Sequence, residues 1–299
     1  SSGSQLRAPS SRGSGALGLV AVSPTARTSY TAVCREAGHR HGQTMTKKAP
    51  VELTGGDGFL FEDRVAARLL LDMVAGRWSF GVAAGRVRQL HWQAREAGWL
   101  LDDLVADLIV DGRAATAAIS IKSDRQVTQS GFPESFVRAA WQHALGAQGV
   151  RRLGAKDILV LVVGKLANGV QEAWDKLLRQ ALAAPDDRVL ARLDANDPDE
   201  GTQSSELERK LFGSVLCPDN LREGQQTGDV DRIATVRLLR CLRVIHLDLA
   251  SPTSRDQGDA LLNAQEVLRN GDPEEARALW GRLLEISSTR RAGGALDEA

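Results

Sequence analysis

The segment LDDLVADLIVDGRAATAAISIK, residues 101–122, limits the possible folds of this chain more than any other part of it. Both of its halves are apolar, and Asp111-Gly112 between them is a strong signal for a two-residue β-hairpin turn. Because such a turn fixes the register, Val110 should pair with Arg113, and pairing should continue outward from there. We therefore expect an antiparallel strand pair around which the other elements are arranged.

The predicted register brings three polar side chains together at the open end of the hairpin. Side chains alternate along a strand, so Asp103 should lie opposite Ser120 on one face, with Lys122 two residues further on the same face. A slip of one residue would instead place Asp102 opposite Lys122. The register favours Asp103, and the alternative stays open at this point.

A helix is predicted ahead of the hairpin. The stretch GGDG at residues 55–58 is typical of a turn, and apolar residues then follow a helical period from Phe61 to a stop at Gly76. Glu62 falls in the first turns of this helix, where a carboxylate also stabilises the helix dipole. Residues 80–99 show no clear period and are predicted to be helical or irregular.

Six helices and two strands are predicted after the hairpin. We predict helices at 133–145, 169–184, 205–216, 229–241, 255–269 and 273–287, and strands at 157–163 and 242–249. The polar residues 185–205 are predicted to form a loop. This order of elements indicates an α/β or α+β fold.

Three regions are expected along the chain. Residues 1–44 are rich in Ser, Gly and Arg with a single acid, Glu36, so we predict a disordered or upstream segment. Residues 45–184 hold the hairpin and its flanking helices and form the main predicted domain. Residues 185–299 are predicted to be a mainly helical linker or partner-binding region.

The overall charge and the cysteines restrict the classes of function. Lys plus Arg and Asp plus Glu both number 38, so any surface that binds nucleic acid must be a local basic patch. The three cysteines are far apart and suggest neither a disulfide framework nor a zinc site, which fits a reducing cytoplasm. The apolar runs are too short to cross a membrane. We expect a soluble cytoplasmic protein without a membrane partner.

The predicted cluster suits phosphodiester hydrolysis. That chemistry uses a hard divalent cation held by one or two carboxylates, and a lysine that offsets negative charge on the reacting phosphate. Asp103 would be the main metal ligand, Glu62 the second carboxylate, and Lys122 the lysine. Taken singly, each has an ordinary structural explanation; their joint arrangement suggests a site.

The motifs GGDGFLFED, LLDDLVADLIVDG and AAISIKS resemble the PD-(D/E)xK, or restriction-endonuclease-like, nuclease superfamily. Within it they resemble the double-stranded-DNA endonuclease modules at the N-terminus of bacterial anti-phage STAND ATPases. The resemblance covers about residues 54–145. It implies a restriction-endonuclease-like core with a central mixed sheet flanked by helices, and a Mg²⁺- or Mn²⁺-dependent endodeoxyribonuclease whose catalytic residues are Glu62, Asp103, Ser120 and Lys122.

The C-terminal part is similar to the helical segment that joins such nucleases to an ATPase, through LLRCLRVIHLDL and EEARALWGRLLEI. The chain contains no GxxxxGK[ST] phosphate-binding motif, so an ATPase module would have to lie beyond residue 299. The resemblance also implies double-stranded DNA as substrate, self-association into a homo-oligomer, and a role in antiviral defence.

Ser120 departs from the superfamily pattern, which usually has Asp, Glu or Gln at that position. A neutral hydroxyl is a weak ligand for a hard cation, so a second interpretation is a nuclease-fold module that binds DNA without cleaving it. A third is a helical interaction or scaffold protein whose function lies in the C-terminal region.

Overall fold

In the computed structural model, the residues that the structure describes form a mixed sheet of five strands, which lie side by side in the order of the sequence. The strands are β1 (Arg86–Trp92), β2 (Leu104–Val110), β3 (Arg113–Lys122), β4 (Ile158–Val163) and β5 (Leu242–His246). The first three are antiparallel neighbours, whereas β4 runs parallel to β3, and β5 runs parallel to β4. The sheet is therefore antiparallel on one side and parallel on the other.

The structure describes residues 56–92, 97–123, 127–194, 202–221, 229–249, 251, 253–269 and 271–291. All of them belong to one compact unit, which spans Pro50–Ala299. The segment 1–44, predicted to be disordered, lies outside the described residues, as does Gly55. The turn predicted at residues 55–58 is wrong for Gly56, Asp57 and Gly58, which are the first residues of the helix Gly56–Val74. Among the residues described, no helix is both long and apolar enough to cross a membrane.

The hairpin register is confirmed. Val110 pairs with Arg113, and the pairing continues without a break to Leu104 and Ile119. Asp111 and Gly112 both have positive φ angles, of 50° and 74°, which is the conformation of a tight two-residue hairpin turn. The turn thus sets which side chains face each other along the full length of the two strands.

Helices cover both faces of this sheet. They are α1 (Gly56–Val74), α2 (Glu134–Leu145), α3 (Val170–Ala183), α4 (Asp186–Asp194), α5 (Thr202–Ser214), α6 (Asp229–Cys241), α7 (Arg255–Val267) and α8 (Pro273–Arg291). On one face, α1 packs Phe61, Val65 and Leu69 against the sheet. On the other face, α2 to α6 share a core with β4 and β5. The predicted α/β class, with a central mixed sheet, flanking helices and a mainly helical C-terminal region, is confirmed.

The prediction for residues 80–99 is wrong in one part, because Arg86–Trp92 forms strand β1. This strand pairs with β2, but its register shifts between Val87 and Gln89. Such a bulge breaks the alternation of buried and exposed side chains, and Val87 and Leu90 are the two buried positions. The alternation that normally identifies a strand is therefore absent from the sequence.

The prediction of a loop at 185–205 is also wrong in part, because Asp186–Asp194 is helix α4. Val189, Leu190 and Leu193 are buried on one side of it, which is the spacing of an amphipathic helix. The helix packs against α6. Three apolar residues in a polar stretch were too few for the helical period to stand out.

Candidate active site

Asp103 lies just before β2 and accepts hydrogen bonds from two strand-β3 side chains and one amide. Its Oδ2 atom is 2.6 Å from the Ile121 amide nitrogen, 3.3 Å from Ser120 Oγ and 3.2 Å from Lys122 Nζ. The hydrogen bond from the Ile121 amide holds the Asp103 side chain at the end of β3, as the hairpin register predicts. Of the two aspartates considered from the sequence, Asp103 is the one with these three contacts.

Ser120 and Lys122 lie at the C-terminal end of β3. The Ser120 side chain is buried, whereas Lys122 is half-buried and keeps its ammonium group beside the Asp103 carboxylate. The predicted grouping of Asp103, Ser120 and Lys122 on one side of the hairpin is confirmed as geometry. Their catalytic roles remain a prediction.

Glu62 reaches the same region from α1. It is partly buried, and burial together with the negative charge of Asp103 raises its pKa to about 7. Lys122 and Arg291 act in the opposite direction and lower that pKa. Glu62 is therefore near enough to Asp103 and Lys122 for their charges to influence its pKa.

The raised pKa of Glu62 has a chemical meaning. Burial disfavours the ionised form of the Glu62 carboxyl, and the negative charge of Asp103 adds to this effect more than the positive charge of Lys122 offsets it. Near neutral pH the Glu62 carboxyl is therefore poised between its protonated and ionised forms. A divalent cation shared by Glu62 and Asp103 would relieve the repulsion.

The donor set fits Mg²⁺ or Mn²⁺ better than a metal that needs a full protein cage. Mg²⁺ is often held by one or two carboxylates and completes its octahedron with water and substrate phosphate oxygens. Among the described residues there is no cluster of three or more His, Cys, Asp or Glu side chains that could hold a metal. If the site holds such an ion, Glu62 and Asp103 are the residues that would hold it.

A glycine lets α1 approach the site. Gly164 follows β4 directly, and its amide donates to the carbonyl of Lys122 at 3.1 Å. A Cβ atom at Gly164 would lie 2.7 Å from the Ser123 carbonyl oxygen and 3.3 Å from the Phe61 ring. A side chain there would displace either the end of β3 or the turn of α1 that carries Glu62.

Sequence reasoning missed two charged residues beside the cluster, Asp63 and Arg291. Arg291, in the last turn of α8, donates to both carboxylate oxygens of Asp63, at 2.8 and 3.2 Å. Asp63 resembles a surface acid in the sequence, and Arg291 lies 228 residues away. The pattern GFLFED marks this stretch as unusual, but nothing local in it points to so distant a partner.

Comparisons with known proteins identify no family. No protein-family model matches the chain, and no curated protein matches it. Three solved structures of the Acinetobacter baumannii Cap4 SAVED/CARF-domain containing receptor are similar to this chain, with 10–11% sequence identity and TM-scores of 0.43–0.44. Two of those structures contain a cyclic trinucleotide, 3'3'3'-cAAA or 2'3'3'-cAAA. The matches cover 79% of this chain and 41–43% of those chains, so it spans less than half of their length. A likeness of this size establishes neither family nor function.

Proposed function

We propose that this chain contains a Mg²⁺- or Mn²⁺-dependent endonuclease that hydrolyses phosphodiester bonds in double-stranded DNA. The observation that carries the proposal is the contact of one carboxylate, Asp103, with the β3 lysine, Lys122, beside a second carboxylate, Glu62, whose pKa is raised to about 7. The motif resemblance to PD-(D/E)xK nucleases adds the expectation of an effector module in a bacterial anti-phage defence protein.

Asp103 has the properties of an anchored metal ligand. Three donors converge on Oδ2, and one of them is a backbone amide, so the carboxylate is held in one orientation without relying on solvent. Groups oriented in this way lose little entropy when they bind a cation. Ser120 contributes a hydrogen bond to this orientation, which is a role that a neutral hydroxyl can perform.

Lys122 supplies positive charge where a scissile phosphate would lie. Its ammonium group is half-buried and next to Asp103, so it can donate to a phosphate oxygen near the metal ligands. A bound Mg²⁺ would polarise the phosphate and lower the pKa of a coordinated water. A cation held by Glu62 and Asp103 would favour the ionised form of Glu62.

The test measures cleavage of supercoiled duplex DNA in the presence of Mg²⁺ or Mn²⁺ by the wild type and three single variants. We expect the wild type to nick it, and Asp103→Asn and Lys122→Ala each to lower the rate by about 100-fold or more, as when one electrostatic stabiliser is removed from an active site. Asp107→Asn is the matched control, because Asp107 is an aspartate in β2 whose exposed side chain contacts His91. Cleavage at the wild-type rate by both site variants would contradict the proposal.

The second candidate function is DNA binding without cleavage, and Ser120 is the observation that favours it. With a hydroxyl at the position of the usual acid, the site has one strong ligand fewer. Titration with Mn²⁺ by calorimetry separates the two candidates. If the wild type binds Mn²⁺ and Asp103→Asn does not, the result supports the nuclease. If the wild type binds DNA but binds no Mn²⁺ at millimolar concentration, the result supports the inactive module.

A further inference from the structure

We infer that Arg291, at the end of α8, is a positioning residue for Glu62, so that the C-terminal helix sets the geometry of the candidate metal site. This inference rests on the proposed function for its meaning. It concerns residues that neither the sequence motifs nor the resemblance assigns to the site.

The contact between Arg291 and Asp63 is a two-point contact. The Nε and Nη2 atoms of Arg291 donate to separate oxygens of Asp63, at 2.8 and 3.2 Å, and the Asp63 residue is 5% exposed. The Arg291 guanidinium also lies 4.6 Å from the centre of the Phe59 ring. A forked ion pair of this kind fixes direction as well as distance, and a lysine in place of the arginine would not reproduce it.

This contact acts on the first turns of α1, which carry Glu62. Phe59 and Asp63 are four residues apart and therefore share one side of the helix, and Arg291 contacts both. Fixing that side fixes the rotation of the helix about its axis. Glu62 is the residue next to Asp63 in this turn, so the same contact limits where the Glu62 side chain can lie.

The position of α8 is determined independently of Arg291. Trp280 and Leu283 of α8 pack with Ala67 and Leu71 of α1 and with residues of α7 in one buried cluster. The helix is therefore seated along α1 by apolar contacts, and Arg291 adds the link at the end nearest the site. Any displacement of the end of α8 would reach Glu62 through Asp63.

A comparable ion pair on α1 provides a matched control. Arg68 contacts Asp72 on the same helix at 3.1 Å and the carbonyl of Asp256 at 3.4 Å. It links α1 to the segment that opens α7, as Arg291 links α1 to α8. Removing Arg68 should weaken the docking of α1 without altering the turn that holds Glu62.

The experiment compares wild type, Arg291→Gln, Arg291→Lys and Arg68→Gln in the full chain. We expect both Arg291 variants to weaken Mn²⁺ binding by about tenfold in calorimetry, which is the usual loss when the group that orients a metal ligand is removed. Arg68→Gln should lower the melting temperature but keep the wild-type Mn²⁺ affinity. Wild-type affinity in Arg291→Gln, or an equal loss in Arg68→Gln, would overturn the inference.

Hydrogen exchange distinguishes failure of the inference from failure of the proposed function. If the wild type binds no Mn²⁺, the proposed function fails, and the positioning contact is then judged by the amides of residues 59–66. Faster exchange of these amides in Arg291→Gln than in Arg68→Gln supports the contact. Equal exchange in both variants refutes it.

Discussion

His143 shows how a single side chain can make the stability of this protein depend on pH. The ring is completely buried and 5.0 Å from the Trp99 ring, centre to centre. Its Nδ1 lies 2.7 Å from the Arg151 carbonyl oxygen, and its Nε2 accepts the Leu100 amide at 3.0 Å. One nitrogen must donate and the other must accept, so the ring is held neutral. Burial lowers the pKa of His143 below its usual value.

We predict that the contribution of His143 to folding stability decreases as the pH falls below about 6.5, the ordinary pKa of histidine. Below that pH the unfolded chain takes up a proton at His143 that the folded state excludes, so this contribution declines until the lowered pKa of His143 is reached. Glu62 acts in the opposite sense, because its pKa is raised to about 7 in the folded state. Denaturant unfolding at about pH 7.5 and pH 5.5 measures this decline. Between about pH 7.5 and pH 5.5 the wild type should lose more stability, or gain less, than His143→Gln; the same change in both proteins would contradict the prediction.

Residues of the candidate site differ in how far the sequence predicts them. Asp103, Ser120 and Lys122 follow from the hairpin register, because the turn and the strand period are both local. Glu62 required the motif resemblance, since only packing of α1 against the sheet brings it near the hairpin. Arg291 could not be predicted, because its contact with Asp63 depends on how α7 and α8 fold back along α1.

The hairpin turn is the element on which the register depends. Asp111 and Gly112 adopt left-handed backbone angles that most residues adopt only at a cost. A methyl group at Gly112 would meet no other atom within 4 Å. Any penalty for a larger residue there must therefore come from the backbone and not from a steric clash.

We predict that Gly112→Ala lowers the free energy of unfolding by about 1 kcal/mol. Gly258→Ala is the matched control, because Gly258 also has open space around its Cβ position but lies inside α7. Since alanine is favoured over glycine within helices, that change should raise stability by about 0.5–1 kcal/mol. Denaturant melts of both variants give the comparison, and the same sign of effect in both would contradict the backbone explanation.

Elements with a clean local period were predicted well, and those whose period is interrupted were not. Strands β2, β3 and β4 and helices α2, α3 and α6 lie close to their predicted bounds. The bulge in β1 and the short amphipathic face of α4 were missed. In both cases the structure is stabilised by a neighbour, β2 or α6, and not by a strong preference of the segment itself.

At the scale of the whole molecule, the core extends across the expected boundary at residue 184. Leu211 and Phe212 of α5 and Leu239 of α6 are buried in the same cluster as Trp174 and Leu177 of α3. Strand β5, from beyond that boundary, completes the parallel side of the sheet. Helices α2 and α3 thus share their apolar surface with later parts of the chain.

We predict that a fragment of residues 50–184 does not fold cooperatively. It would expose the sides of α3 and β4 that α5, α6 and β5 cover, and a core opened in this way behaves as a loosely packed state. Thermal melting and dye binding should show a broad transition and exposed apolar surface. A fragment of residues 50–291 is the control and should melt in one sharp transition; a sharp transition for both would support a domain boundary at 184.

Strand β5 and helix α8 come late in the chain, so the parts of the fold that depend on them can form only late in synthesis. A nascent chain that ends at Cys241 contains β1 to β4, yet β4 still lacks β5, the neighbour that covers its hydrogen-bonding edge. Arg291 emerges later still. A product that ends before Arg291 would therefore contain Glu62, Asp103, Ser120 and Lys122 but would lack the contact between Arg291 and Asp63.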